Sequence, residues 1–260
     1  MKIARYSHAG TIAFGIIDDD ALVVLTGDPM FAGYNPTGQR LPLVDVALLA
    51  PVIPRSKVVG LAGAYFADAA EKAAALAAPG GLPEPRFFLK PNTSVVGPND
   101  PIVLPAQSDD VRVEGELAIV IGRITKNISV ADAPGAIFGY TIANDVTAVD
   151  VQQQDGQAAK SKSFDSFCPL GPVIDTEFDP DAARITGRVN DAEFGTGDVA
   201  LLGYSMAEIV SYVSHVFTLL PGDVILTGSP SAAREVTDGD IAAIEISGLG
   251  VLTNPVRRPA

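Results

Sequence analysis

Short apolar runs separated by turn residues dominate this chain, and long helical periods are few. "MKIARYS", "TIAFGIID" and "ALVVL" read as strands near the N-terminus, with "DDD" as a hairpin turn. "LPLVDVALLAPVIP" reads as a short helix and an exit segment ended by Pro51 and Pro54, which places a boundary near residue 54. "SKVVGLAG" then reads as a buried strand. It leads into "YFADAAEKAAALAA", the best helical pattern in the chain, which stops at "PGGLPEP". From Phe87 onward strand-like runs alternate with turns: "RFFLK", "SVVGP", "PIVLP", "EGELAIVIG", "IFGYTIANDV", "CPLGPVI", "ARITGRVND", "VILTG" and "IAAIEISGLGVLTNPV". One amphipathic helix interrupts them, "SMAEIVSYVSHVFTL", with Met206, Ile209, Val210, Val213 and Phe217 at core-facing intervals. The pattern predicts an α+β or mixed-β, sandwich-like domain with little βαβ rhythm. It divides into residues 1–54, a small N-terminal region packed on the main domain, and residues 55–260, the main domain.

Composition narrows this picture. At 260 residues and 47% hydrophobic, the chain has ample material for a buried core. The single cysteine, Cys168, cannot form an internal disulfide and reads as buried filler, and nothing at the N-terminus resembles a signal peptide. A cytoplasmic protein is expected. Apolar runs are broken well short of a membrane span. A net charge of −13 with no basic footprint argues against a nucleic-acid partner.

The candidate chemistry starts from "DDVRVEGELAIVIG". Residues two apart on a strand share a face, so Glu114 and Glu116 point the same way, about 7 Å apart, with Gly115 opposite. Like charges side by side are unfavourable unless water or a cation compensates. A solvated strand start and a cation site both fit this stretch. "GYTIANDVTAVD" adds Asp145 directly after an apolar run, where core packing gives no reason for a carboxylate. Three carboxylates meeting would make an oxygen-donor site of the kind that Mg²⁺ favours and Mn²⁺ tolerates. His8 and His215 have no metal-ligand spacing, which makes zinc a poor candidate. Lys162, in "KSKSFDSFCPLGPVI", reads either as a surface lysine or as a cation that stabilises an enolate. In "LLPGDVILTGSP", the hydroxyls of Thr227 and Ser229 with amides near Gly228 form a plausible anion-holding rim. "GLAG" lacks the spacing of a nucleotide-binding loop, so no nucleotide cofactor is expected.

The blocks "EGELAIVIG", "GYTIANDVTAVDVQ", "KSFDSFCPLGP", "VND", "TLLPGDVILTGSP" and "IEISGLGVLTNPV" together resemble the fumarylacetoacetate hydrolase family, in order, over about residues 57–256. The resemblance implies a mixed β-sandwich roll, usually a homodimer using Mg²⁺ or Mn²⁺, acting on small 2-oxo or 2,4-dioxo acids. It implies Glu114, Glu116 and Asp145 as metal carboxylates, Lys162 as the active-site lysine and Gln152 as a contact to substrate or water. Ser229 stands where the family's "TGTP" turn has threonine. Two departures matter. Hydrolytic members carry an "NYxxHAxE"-like lid, and here it reads "AYFADAAE": Glu71 is kept, Asp68 stands in place of the histidine and Ala64 in place of the asparagine. The family's "NDVTARD" reads "NDVTAVD", so Val149 replaces a substrate-orienting arginine. A metal-dependent C–C hydrolase is the default expectation. Decarboxylase or isomerase/tautomerase chemistry on a related β-dicarbonyl substrate is the alternative, and a non-catalytic metal-binding homologue is a third.

Overall fold

A computed structural model describes residues 1–259 of the chain. The N-terminal region supplies β1 (Lys2–His8), β2 (Thr11–Asp18), β3 (Ala21–Leu25), one helical turn α1 (Pro29–Ala32), β4 (Pro36–Pro42) and β5 (Ala47–Leu49). There follow β6 (Val58–Ala62), helix α2 (Ala69–Ala77), β7 (Arg86–Lys90), β8 (Val95–Val96), β9 (Ile102–Val103) and β10 (Val111–Val113). The centre of the chain forms β11 (Gly115–Ile121), β12 (Ile137–Asn144), β13 (Thr147–Ala148), helix α3 (Val149–Asp155) and β14 (Cys168–Asp175). The last part forms β15 (Arg184–Val189), β16 (Ala192–Asp198), helix α4 (Met206–Val216) and β17 (Val224–Leu226). Strands β18 (Arg234–Glu235), β19 (Ile241–Ile246) and β20 (Gly250–Arg257) close the fold.

The α+β architecture with a mixed sheet is as the pattern predicts. One large sheet runs β4-β3-β2-β1-β14-β12-β11-β17-β6-β7, a second runs β16-β15-β19-β20-β9, and a small one runs β13-β10-β18. Most neighbours are antiparallel; β17 with β6 is parallel. The first fifty residues extend the main sheet rather than forming a separate layer, because β1 pairs with β14 through Lys2↔Asp175 and Ile3↔Ile174.

Strand β11 lies at the heart of the molecule and is buried on both faces. Its Leu117, Ile119 and Ile121 pack with Ile185, Ile244 and Leu252 of the second sheet and with Ile209, Val210 and Val213 of α4. Its Ala118 and Val120 pack with Cys168, Leu170, Val224 and Leu226. Gly115 is required for this layering: a Cβ there would lie 2.8 Å from the Ile244 side chain. Helix α4 starts at a capping box in which Ser205 and Glu208 satisfy each other's backbone amides. It stops at Val216, so Phe217 is the cap rather than a helical core position.

Two local expectations are corrected, and one helix is unanticipated. "LPLVDVALLAPVIP" gives only the 3₁₀ turn Leu43–Asp45 and then strand β5, because pairing of β5 with β1 outweighs the weak helical pattern. The predicted helix at 65–78 shortens to Ala69–Ala77 and buries none of its residues. Helix α3, which opens at the Val149 of "NDVTAVD", has no sequence counterpart in the pattern analysis.

Candidate active site

The site gathers at the ends of neighbouring strands, and backbone pairing positions each acid. Gly115 faces Asn144 across β11 and β12, the Glu114 amide donates to Asn144 Oδ1 at 3.2 Å, and the Asp145 amide donates to the Glu114 carbonyl at 2.8 Å. Asp145 is thereby held beside the Glu114–Glu116 pair. On the other side of β11, the Thr227 amide donates to the Leu117 carbonyl, and the Gly228 amide donates to Glu116 Oε2 at 2.6 Å.

Strands β6 and β7 bring two further groups. Gly60 pairs with Phe88 and Val58 with Lys90, so Phe88 and Lys90 share one face of β7. Lys90, only 1% exposed, donates to Asp145 Oδ1 and to the Val146 carbonyl, the latter at 3.0 Å. Lys162 approaches from the segment after α3, donates to Asp145 Oδ2 and lies 3.6 Å from Glu114 Oε2. Its ammonium also sits 4.3 Å from the centre of the Phe88 ring, a cation–π contact. Gly60 makes room for that ring, since a Cβ on residue 60 would overlap it.

Electrostatics separate the three acids. Burial pushes the Asp145 carboxyl up, but the charges of Lys162 and Lys90 and their hydrogen bonds outweigh it and hold its pKa below the usual range. Burial raises Glu116 well above the usual range, and the nearby charges of Asp145 and Glu114 add to this against Lys162 and the Gly228 amide. Glu114 is raised too, by burial first and by Asp145 second, with Lys162 and Lys90 opposing. Burial lowers Lys162, yet Asp145 and Glu114 more than compensate and keep it cationic. Cys168, fully buried, is pushed up to about 12 by desolvation and is inert filler.

The sequence-derived residues separate into two groups. Glu114, Glu116, Asp145 and Lys162 come together. Gly228 joins them, but its amide holds the Glu116 carboxylate and not an external anion. The Thr227 hydroxyl is buried and donates to the Leu117 carbonyl. Ser229 Oγ donates to the Ser231 carbonyl within its own turn. Gln152 and Val149 lie half-buried on α3, where the Val149 amide donates to the Asp110 carbonyl.

Asp68 and Glu71 stand apart. Asp68 is the N-cap of α2 and accepts from the Glu71 amide at 2.8 Å, while Glu71 reaches back to the Ala67 amide at 2.8 Å. Both are exposed, and among the described residues neither shares a hydrogen bond or ion pair with the acid–lysine cluster.

Two site residues escaped the sequence reading. Lys90 carries a readable signal: in "RFFLK" it shares the strand face of Phe88, at the end of an apolar run. Tyr65 does not. Its hydroxyl lies 3.4 Å from Thr227 Oγ1, and its pKa is raised first by burial and also by the charge of Glu116, against the Thr227 hydrogen bond.

The donor set fits a hard divalent cation in chemistry: three carboxylates stand at neighbouring backbone positions, and Glu116 carries a charge that its surroundings penalise. In the present geometry both Asp145 oxygens are taken by lysines, and among the described residues no three His, Cys, Asp or Glu side chains are arranged as a metal ligand set.

Comparison with known proteins gives this arrangement its context. Residues 57–257 match the family described as fumarylacetoacetate (FAA) hydrolase C-terminal, and residues 1–51 match the one described as Rv2993c-like, N-terminal. The chain belongs to the fumarylacetoacetate hydrolase family. The crystal structure of 5-carboxymethyl-2-hydroxymuconate delta-isomerase from Mycobacterium smegmatis is 42% identical, covers all of both chains and superposes with a TM-score of 0.90. Human mitochondrial oxaloacetate tautomerase FAHD2A is 37% identical over 228 residues, 83% of this chain and 71% of the relative. Maleylpyruvate hydrolase from Sphingobium sp. SYK-6, in complex with manganese(II) and pyruvate, is 27% identical with a TM-score of 0.79 and covers all of both chains. The chain is an enzyme of this family. No helix among the described residues is long and apolar enough to cross a membrane.

Proposed function

We propose that the chain is an isomerase or tautomerase of a small 2-oxo acid, interconverting keto and enol forms, rather than a C–C hydrolase. The observation that carries this reading is the division of labour among its acids. The two that hydrolysis would need for activating water, Asp68 and Glu71, are engaged at the start of α2, whereas Lys162 clusters with the carboxylates at the start of β11 and just past the end of β12. Relatives named as an isomerase and a tautomerase, at 42% and 37% identity, support the same choice.

A divalent cation, Mg²⁺ or Mn²⁺, held by Glu114, Glu116 and Asp145, would polarise the 2-oxo carbonyl. Lys162 supplies the second positive charge. Its stacking on Phe88 and its ion pairs fix the ammonium in a place where it offsets the negative charge that develops on an enolate oxygen. Lys90 keeps Asp145 anionic and oriented, and the open side of Glu114 gives water access for the exchanged proton. Val149, in place of a cation, leaves the pocket without one charge partner for a second substrate carboxylate, which favours a substrate with a less polar tail.

The test follows the ultraviolet absorbance of enol oxaloacetate with Mg²⁺ or Mn²⁺ present, beside a parallel assay of acylpyruvate cleavage. The expected result is accelerated keto–enol interconversion that Lys162→Met lowers at least about 100-fold. Faster acylpyruvate cleavage than tautomerisation, lost in Asp68→Ala, would overturn the reading in favour of a hydrolase.

A further inference from the structure

Away from the acid–lysine cluster, a cavity of about 210 Å³ lies where the N-terminal strands meet the segment entering β6. Two arginines line it. Arg5 comes from β1, where it pairs across the sheet with Phe14 of β2, and Arg55 comes from the connecting segment. The Arg55 guanidinium lies 4.2 Å over the centre of the Phe31 ring, which gives this exposed side chain a defined place. Among the described residues, four of the chain's 11 arginines have a carboxylate partner. Arg40, Arg112, Arg184 and Arg188 each have one within 4.0 Å. Among the described residues Arg5 and Arg55 have none; Arg5 makes one long bond, 3.4 Å, to the Ala50 carbonyl. Asp28 also lines the cavity, but its Oδ1 accepts from the Met30 amide as the cap of α1, and it forms no ion pair with either arginine.

We infer that this cavity is a binding site for a small organic carboxylate, held by the guanidiniums of Arg5 and Arg55 with its apolar body against Phe14 and Phe31. A planar guanidinium fork matches a carboxylate, and two forks with unused donors facing one cavity are a recognition element that the fold leaves unpaired. The aromatic walls select an acid with an apolar body over a bare inorganic anion. The volume admits a molecule of about benzoate size.

The cavity is linked to the active centre through the backbone. Asp223, next to the Gly222 that lines the cavity, accepts hydrogen bonds from the Ser56 and Lys57 amides and from the Lys57 ammonium at 2.7 Å. It leads directly into β17, whose exit carries the Gly228 amide that holds Glu116. An acid bound at Arg55 therefore grips the same connecting segment that anchors β17.

The test is calorimetric titration of the full chain with benzoate, with benzyl alcohol and inorganic phosphate as comparison probes. Titrations run to about 20 mM, above the millimolar Kd that a carboxylate between two guanidiniums supports. The expected result is one benzoate per chain, retained in Glu116→Gln and weakened at least about tenfold in Arg55→Gln and in Arg5→Gln/Arg55→Gln, with little binding of benzyl alcohol. Arg55 is exposed, so its single variant keeps the test meaningful if the double variant fails to fold. No benzoate binding, binding lost in Glu116→Gln, binding indifferent to both arginines, or phosphate binding as tightly as benzoate would each overturn the assignment.

Discussion

Two pairs of acids in this chain look alike on paper and end in opposite circumstances. Glu114 and Glu116 stand two apart, Asp68 and Glu71 three apart, and each pair lies in a block that resembles a family motif. The strand pair is carried into a sheet buried on both faces, where Glu116 is 2% exposed, accepts from a backbone amide and feels the charges of Asp145, Glu114 and Lys162. The helix pair opens α2, a helix that buries no residue; Asp68 accepts from the Glu71 amide and Glu71 from the Ala67 amide just ahead of the helix. Burial is what converts a carboxylate into chemistry: desolvation and neighbouring charges move the strand acids away from ordinary behaviour, while the helix acids keep the work of a cap.

The sharpest way to break this comparison is to neutralise one acid of each pair. Glu116→Gln is expected to lower turnover by about 1,000-fold while Glu71→Gln changes it by no more than about threefold, read as kcat/KM on the same 2-oxo acid. Equal losses would place the lid acids in the chemistry after all.

Next in size is the buried ion pair that the sequence did not reveal. Lys90→Met leaves Asp145 with Lys162 as its one cation and should cost about 3 kcal/mol in urea unfolding at neutral pH. Because the Asp145 pKa is lowered in the fold, its stabilising contribution is present above its unfolded value near 3.8 and is lost as pH falls through the folded value. The penalty of Lys90→Met should therefore shrink in acid.

Glu116 has the opposite sign. Its folded pKa lies above the unfolded value of 4.5, so its contribution is full below that pH and is lost as pH rises through the folded value. In chelator-containing buffer, the urea midpoint of the natural chain should fall relative to Glu116→Gln as pH rises above about 4.5. Added Mg²⁺ should close the gap, because a cation stabilises the ionised form. A midpoint difference that does not change with pH would remove the electrostatic reading of Glu116. The smallest effect belongs to the cap: Asp68→Ala should destabilise α2 by about 1 kcal/mol, seen as faster amide exchange at its first turn, with tautomerisation little changed.

Much of the arrangement was legible in the chain. Strand "EGELAIVIG" and helix "SMAEIVSYVSHVFTL" announced themselves because alternation and the 3.6-residue period survive wherever a face must be buried. The grouping of Glu114, Glu116, Asp145 and Lys162 followed from blocks that resemble a family. Helix α3 was not legible, since "VDVQQQD" has no apolar period to betray it. The bond from the Thr227 hydroxyl to the Leu117 carbonyl was not legible either, because a hydroxyl in a turn looks the same whatever it faces.

The sequence by itself determined the family, the strand-rich α+β architecture and the residue types from which a site is built, because these rest on local pattern and block order. Only the tertiary structure decided which groups meet. It put Lys90 on Asp145 across two strands, placed the Gly228 amide against Glu116, and set Phe88 beneath Lys162 where Gly60 leaves room. It also left Asp68 and Glu71 outside the cluster. These outcomes depend on strand register and burial, which bring together residues far apart in the chain and set how strongly each charge is felt.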